Sequence, residues 1–156
     1  MLLKTRNFGE IEIEEEKILD FPDGIPAFEE RTKFIILKNP DEEIPFHWLQ
    51  SVEDENLTFV IVNPFIFRPD YDFEISQSVV EKLGIEAVED VNLFAIVVVP
   101  EDISKMTANL RAPLIINSKN YKAKQIVIED ERYHTKHYIL EELNTPQNEK
   151  TLEGAK

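Results

Sequence analysis

Apolar and polar positions alternate most clearly near the start of the chain. In G-E-I-E-I-E-E-E-K, Ile11 and Ile13 fall on one side and Glu10, Glu12 and Glu14 on the other, the pattern of a half-buried strand. Phe34 to Leu37, Leu57 to Val62 and Val91 to Val99 are instead continuous apolar runs rich in β-branched residues, bounded by Pro, Asn or charged clusters. They read as core strands. A further pair comes from residues 107 to 127. Leu114, Ile115 and Ile116 form a buried run, Asn117 to Asn120 supply turn chemistry, and Lys122 and Lys124 alternate with Ala123 and Gln125 on the return. Pro113 has no amide to donate, so a strand can begin just after it. Helical spacing is scarce. Ser78-Val79-Val80-Glu81 has capping-box spacing before Gly84, and Thr135 to Leu143 places Ile139 and Leu143 four apart. These elements predict a mostly β, antiparallel, barrel-like single domain over residues 1–143, with about eight to ten strands and one or two short helices. Residues 144–156 hold one large apolar residue and are expected to be a disordered polar tail.

Composition narrows the chemistry. The 156 residues include no cysteine, so neither a disulfide framework nor a thiolate metal site can be built. The start, M-L-L-K-T-R-N, is too short in apolar residues for a signal peptide, and no run approaches the ~20 residues of a membrane helix. A cytoplasmic, soluble protein away from the membrane is the expectation. Net charge is −14, distributed unevenly. Residues 41–102 hold fifteen acidic residues against Arg68 and Lys82, a balance of −13, whereas residues 103–128 have a balance of +5. A surplus of carboxylates argues against direct nucleic-acid binding, because phosphate contacts need clustered Lys and Arg. It is compatible with binding a basic protein.

Catalytic patterns are missing. With glycine only at positions 9, 24, 84 and 154, neither a G-x-S-x-G elbow nor a phosphate-cradling loop can be written. His47 sits between Phe46 and Trp48 as a packed or surface imidazole. His134 and His137 are three apart, a spacing open to metal ligation, but without H-E-x-x-H. The reading is therefore no catalytic residue, no metal and no cofactor. The alternatives are a small-molecule-binding β-barrel or, more distantly, a carboxylate-based hydrolase.

The candidate contact segment is N-P-F-I-F-R-P-D-Y-D-F-E, Asn63 to Glu74. Phe65 and Phe73 are expected to fold inward and close one end of the body. Phe67 and Tyr71 are then candidate anchors within an acidic rim of Asp70, Asp72 and Glu74, placed to meet a basic partner. Asn109 and Arg111 mark a second candidate surface, where they order the basic hairpin or touch a partner.

Four pieces of the chain, in order, resemble the flagellar assembly factor family FliW. They are F-P-D-G-I-P-A-F-E (Phe21 to Glu29), F-H-W-L-Q-S (Phe46 to Ser51) with the apolar strand after it, N-L-R-A-P-L-I-I-N with its hairpin and A-K-Q-I-V, and Y-H-T-K-H (Tyr133 to His137). Ala27 stands where the family usually has Gly. The resemblance implies a non-catalytic protein that binds flagellin and the RNA-binding translational repressor CsrA. Exported flagellin would free the factor to capture the repressor and relieve its block on flagellin translation. The resemblance does not locate the interface.

Overall fold

A computed structural model describes residues 1–144 of the chain; the expected polar tail from residue 145 onward lies outside them. Among the described residues are eleven strands: β1 (Leu2–Thr5), β2 (Gly9–Glu12), β3 (Leu19–Asp20), β4 (Lys33–Leu37), β5 (Phe46–Ser51), β6 (Thr58–Val62), β7 (Val91–Val98), β8 (Thr107–Ala108), β9 (Leu114–Asn117), β10 (Ala123–Gln125) and β11 (His137–Tyr138). Two short helices accompany them, α1 (Gln77–Leu83) and α2 (Ile139–Leu143). The mostly β, antiparallel architecture agrees with the apolar patterning. β1 and β2 form a hairpin of their own, and the remaining strands run β10-β9-β7-β6-β5-β4-β3, with β8 and β11 branching from β7. The two ends of this path meet through a single parallel bridge, Asp20 to Lys122, and the Asp20 amide donates to the Tyr121 carbonyl at 2.8 Å. Among the described residues no ladder closes it into a barrel.

Strand period decides how the core divides. Phe21, Phe34, Leu49, Ile61, Leu114 and Ile116 pack together on one side, while Val62, Phe67, Tyr71, Ala95, Val97, Leu110 and Tyr133 pack on the other. Neighbours such as Ile61 and Val62 thus belong to opposite faces, as a two-residue period requires. β7 lies between the two clusters, with Ala95 and Val97 facing one and Phe94 and Ile96 the other. That double coverage explains why its sequence is a continuous apolar run rather than an alternating one.

α1 starts two residues earlier than the Ser78 spacing suggests. Ser76 is extended, and its hydroxyl accepts from the Val79 amide at 3.4 Å, so Ser76 is the cap and Ser78 lies within the helix. Gly84 ends it in the left-handed conformation, at φ 65°. The last turn is then tied to the β9–β10 hairpin, where the side-chain amides of Asn117 and Asn120 each donate to the Leu83 carbonyl at 2.9 Å. α2 is shorter than the Thr135–Leu143 expectation, because His137 and Tyr138 pair with β8 first. The Phe21–Glu29 motif makes a tight loop in which a Cβ on Gly24 would come within 2.5 Å of the Glu29 backbone. Ala27 takes a left-handed φ of 74°, which accounts for the usual preference for Gly there.

Candidate partner-binding surface

The segment after β6 begins as a 3-10 turn, Pro64–Ile66, capped by Asn63, whose side-chain oxygen accepts from the Phe65 amide at 3.0 Å. In such a turn residues three apart share a face. Pro64 and Phe67 therefore point into the protein, and Phe65 and Ile66 point out. This corrects the expectation for the aromatics. Phe67 is fully buried, and Phe65, expected inside, is 42% exposed. Tyr71 is likewise buried, 4% exposed, so neither Phe67 nor Tyr71 presents a ring to a partner. Phe73 is half-buried.

What Tyr71 does instead follows from β7 and its neighbours. Phe94 pairs with Leu114 and Val97 pairs with Ala108, so three steps along β7 face six along the partner, and three residues are left over. The excess forms a bulge at residues 109–113, the N-L-R-A-P of the sequence. Four of its five carbonyls find a donor. The Tyr71 hydroxyl donates to Leu110 O at 2.6 Å, the Ile128 amide to Arg111 O at 2.8 Å, the Gln125 side chain to Ala112 O at 2.9 Å and the Ile126 amide to Pro113 O at 3.1 Å. Asn109 orders the turn from within, its Oδ1 accepting from the Arg111 and Ala112 amides at 3.1 and 3.0 Å. The Leu110 and Arg111 amides also donate to the His134 carbonyl, both at 3.1 Å. The two candidate surfaces are thus parts of one hydrogen-bonded unit. Arg111 is half-buried, and its guanidinium has no hydrogen bond or ion pair among the described residues.

Tyr133, which sequence reasoning gave no role, lies at the centre. Its fully buried ring meets Tyr71 edge-on at 4.7 Å between centroids, and its hydroxyl accepts from the Asp72 amide at 3.0 Å. The Arg68 and Arg132 guanidiniums lie 5.4 and 5.1 Å from the ring centroid. Arg132 pairs with Asp130 at 2.6 Å, which holds the Asp130 carboxyl down at about 2. Burial raises the Tyr71 phenol well above its ordinary value.

The three histidines have local partners. His47 Nδ1 accepts from the Asn39 amide at 3.1 Å, and burial lowers its pKa. His137 Nε2 accepts from the His134 amide at 2.8 Å, which fixes the proton on Nδ1, 2.6 Å from Glu142 Oε1. Glu142 in turn meets Arg68 Nη1 at 3.3 Å. The His134 and His137 rings stack at 5.4 Å, but the Nε2 of His137 is already engaged. Among the described residues no three His, Cys, Asp or Glu side chains come together as a metal site.

The acidic members of the segment remain outside. Asp70 is exposed and pairs with Arg68 Nε at 3.1 Å. Glu74 faces a cleft beside residues 124–130, and Asp72 lines a groove of about 510 Å³ bounded by Phe65, Phe73, α1 and the 3-10 turn Val88–Asp90. Val88, at 87% exposure, stands on that margin between Glu86 and Glu89. Sequence reasoning gave Val88 no role; the signal that could have found it is a β-branched residue set between Glu86 and Glu89.

Fold and surface together define an antiparallel β domain with an apolar groove open to one side and acidic along its margin. The model of the family described as FliW protein matches residues 2–139. The flagellar assembly factor FliW of Alkaliphilus metalliredigens is 61% identical over 149 residues, covering 96% of this chain and 92% of that protein. The one from Caldicellulosiruptor saccharolyticus is 48% identical over 144 residues, with 92% and 93% covered. A crystal structure of the flagellar assembly factor FliW superposes with a TM-score of 0.83 at 37% identity, covering 89% of this chain and 96% of that one. The chain belongs to the FliW family of flagellar assembly factors. No helix among the described residues is long and apolar enough to cross a membrane.

Proposed function

We propose that this protein is a cytoplasmic, non-catalytic regulator of flagellar assembly that binds flagellin and the translational repressor CsrA in turn. Secretion of flagellin releases the protein to capture the repressor, and flagellin translation resumes. The observation that carries this reading is family membership over residues 2–139, nearly the whole described chain. The acidic surplus supports it, since an RNA-binding repressor must carry the basic surface that a carboxylate-rich partner complements. The proposed contact residues on the first surface are the exposed Asp70, Asp72 and Glu74, with Arg111 on the second.

The test is direct. Purified protein is titrated with flagellin and with CsrA, and then with both together, and flagellin synthesis is followed in a translation reaction blocked by the repressor. Binding to each partner, displacement of one by the other, and recovery of translation on adding the protein are expected. A protein that binds neither partner, or that binds CsrA without restoring translation, would sink the reading.

A further inference from the structure

The groove lined by Asp72 and Val88 is walled by Phe73, Ile75, Ile85, Val91 and Leu93, which also pack the core, but it is open on one side, and its chemistry selects a partner. Its lining is apolar apart from Asp72 and the buried Tyr71, and it contains neither Lys nor Arg. Phe65 and Val88 are exposed on its margin, which leaves large apolar surface in water beside a ready-made recess. Its far wall is held still. α1, which supplies Val80, is tied through Leu83 to Asn117 and Asn120, so the groove does not need to be shaped by whatever enters it.

The margin is as informative as the floor. Glu86 and Glu89 flank Ile85 and Val88 in the chain, and like Asp72 they are exposed. Glu86 and Glu89 have no ion-pair partner among the described residues, and Asp72 has only the nearby Arg132, which donates to its backbone carbonyl at 3.5 Å and not to its carboxylate, whereas Asp70 and Asp90 pair with Arg68 and Lys119. We infer that this groove receives a protein segment that inserts a large apolar side chain flanked by Lys or Arg. A second copy of this chain fits poorly, because docking groove to groove would press two acidic margins together. Anionic lipid is repelled for the same reason. The inference rests on the binding role proposed above and gives that role a place on the surface. Of the two partners, the RNA-binding one carries clustered Lys and Arg by necessity.

The experiment uses the full chain and purified repressor, with flagellin in parallel, in a binding-kinetics series at several salt concentrations. Val88→Ser and Phe65→Ser are expected to weaken repressor binding by roughly tenfold or more, mainly through faster dissociation. The triple variant Asp72→Asn, Glu86→Gln, Glu89→Gln is expected to slow association severalfold at low salt and to lose most of the salt dependence. All of these positions are exposed or on the margin, so thermal unfolding should match the parent protein and separate lost docking from lost fold. In hydrogen exchange, amides of residues 85–91 should be slowed by the repressor.

Parent protein that binds the repressor while Val88→Ser and Phe65→Ser bind it with unchanged kinetics overturns the groove and leaves the regulatory role intact. Parent protein that binds neither partner overturns the role and the groove together. Variants that lose flagellin alone overturn the cationic occupant. Concentration-dependent dimerisation abolished by Val88→Ser would assign the groove to a second copy instead.

Discussion

Phe65 and Phe67 stand two residues apart on one turn and meet opposite fates, and so do the two regions to which they belong. Around Phe67, the 109–113 bulge, Tyr71, Tyr133 and His137 form a largely buried unit in which the Leu110, Arg111, Ala112 and Pro113 carbonyls have donors. Around Phe65, the groove beside Val88 leaves apolar surface wet and the carboxylates of Glu86 and Glu89 without an ion-pair partner among the described residues. The difference separates structural aromatics from available ones within a single twelve-residue segment. An irregular backbone such as the bulge survives inside a protein only if its polar groups are paired. Tyr71 and Tyr133 are there for that reason, and Tyr71 reaches the groove only as part of its inner wall.

Substitutions should split along this line. Phe67→Ala removes a fully buried ring and should lower stability by about 3–5 kcal/mol in denaturant titration. A loss near zero would place the ring outside the core. Tyr71→Phe keeps the ring and leaves Leu110 O without its buried donor, a cost of about 1–3 kcal/mol. If the variant melts like the parent, the hydroxyl is not what holds the bulge.

The buried unit should also respond to pH. Burial lowers the His137 pKa, and Glu142 offsets this only in part; Arg68 and His134 lower it further. The folded protein therefore holds fewer protons on His137 than the unfolded chain does. Its contribution is fully present above the ordinary histidine value of about 6.5 and is lost as pH falls through that value towards the folded one. His137→Gln should flatten the slope of stability between about pH 7 and 5. A residual slope from His47, whose pKa burial also lowers, is expected to persist. An unchanged slope would remove His137 from the account.

Smaller effects belong to exposed positions. Ala27→Gly relieves a left-handed φ and should raise the melting temperature slightly, a gain of up to about 1 kcal/mol. A loss of stability would show that the chain-entropy cost of Gly outweighs that relief. Val88→Ser should change stability by no more than about 0.5 kcal/mol, because the side chain is already in water. A larger loss would make the groove margin part of the core and blur the contrast between the two regions.

Much of the strand content was legible from the chain. β4, β6, β7 and the β9–β10 hairpin fall on the apolar runs that announced them, because two-residue periodicity and β-branched composition are local properties. The helix ending at Gly84 was legible for the same reason, and its start was misplaced because the capping-box spacing of Ser78 to Glu81 favours Ser78, while the structure uses Ser76, which has no acidic residue three positions on. The ordered motifs also carried the family. The fate of the aromatics was not legible. Alternation does not hold in a 3-10 turn, and which face of that turn meets the core depends on where β7 and the bulge lie, fixed by pairings with residues some forty positions away.

The sequence by itself determined the β class, the hairpin, the short helix and the excess of carboxylates, all set by neighbouring residues and by composition. Only the tertiary structure decided that the 63–74 and 109–113 segments form one unit, that Phe67 and Tyr71 are interior, and that Phe65 and Val88 share an acidic-edged groove. Those relations are long-range. They arise when strand pairing brings distant backbone groups into a water-free space where each must find a partner, and no local pattern records which partner that will be.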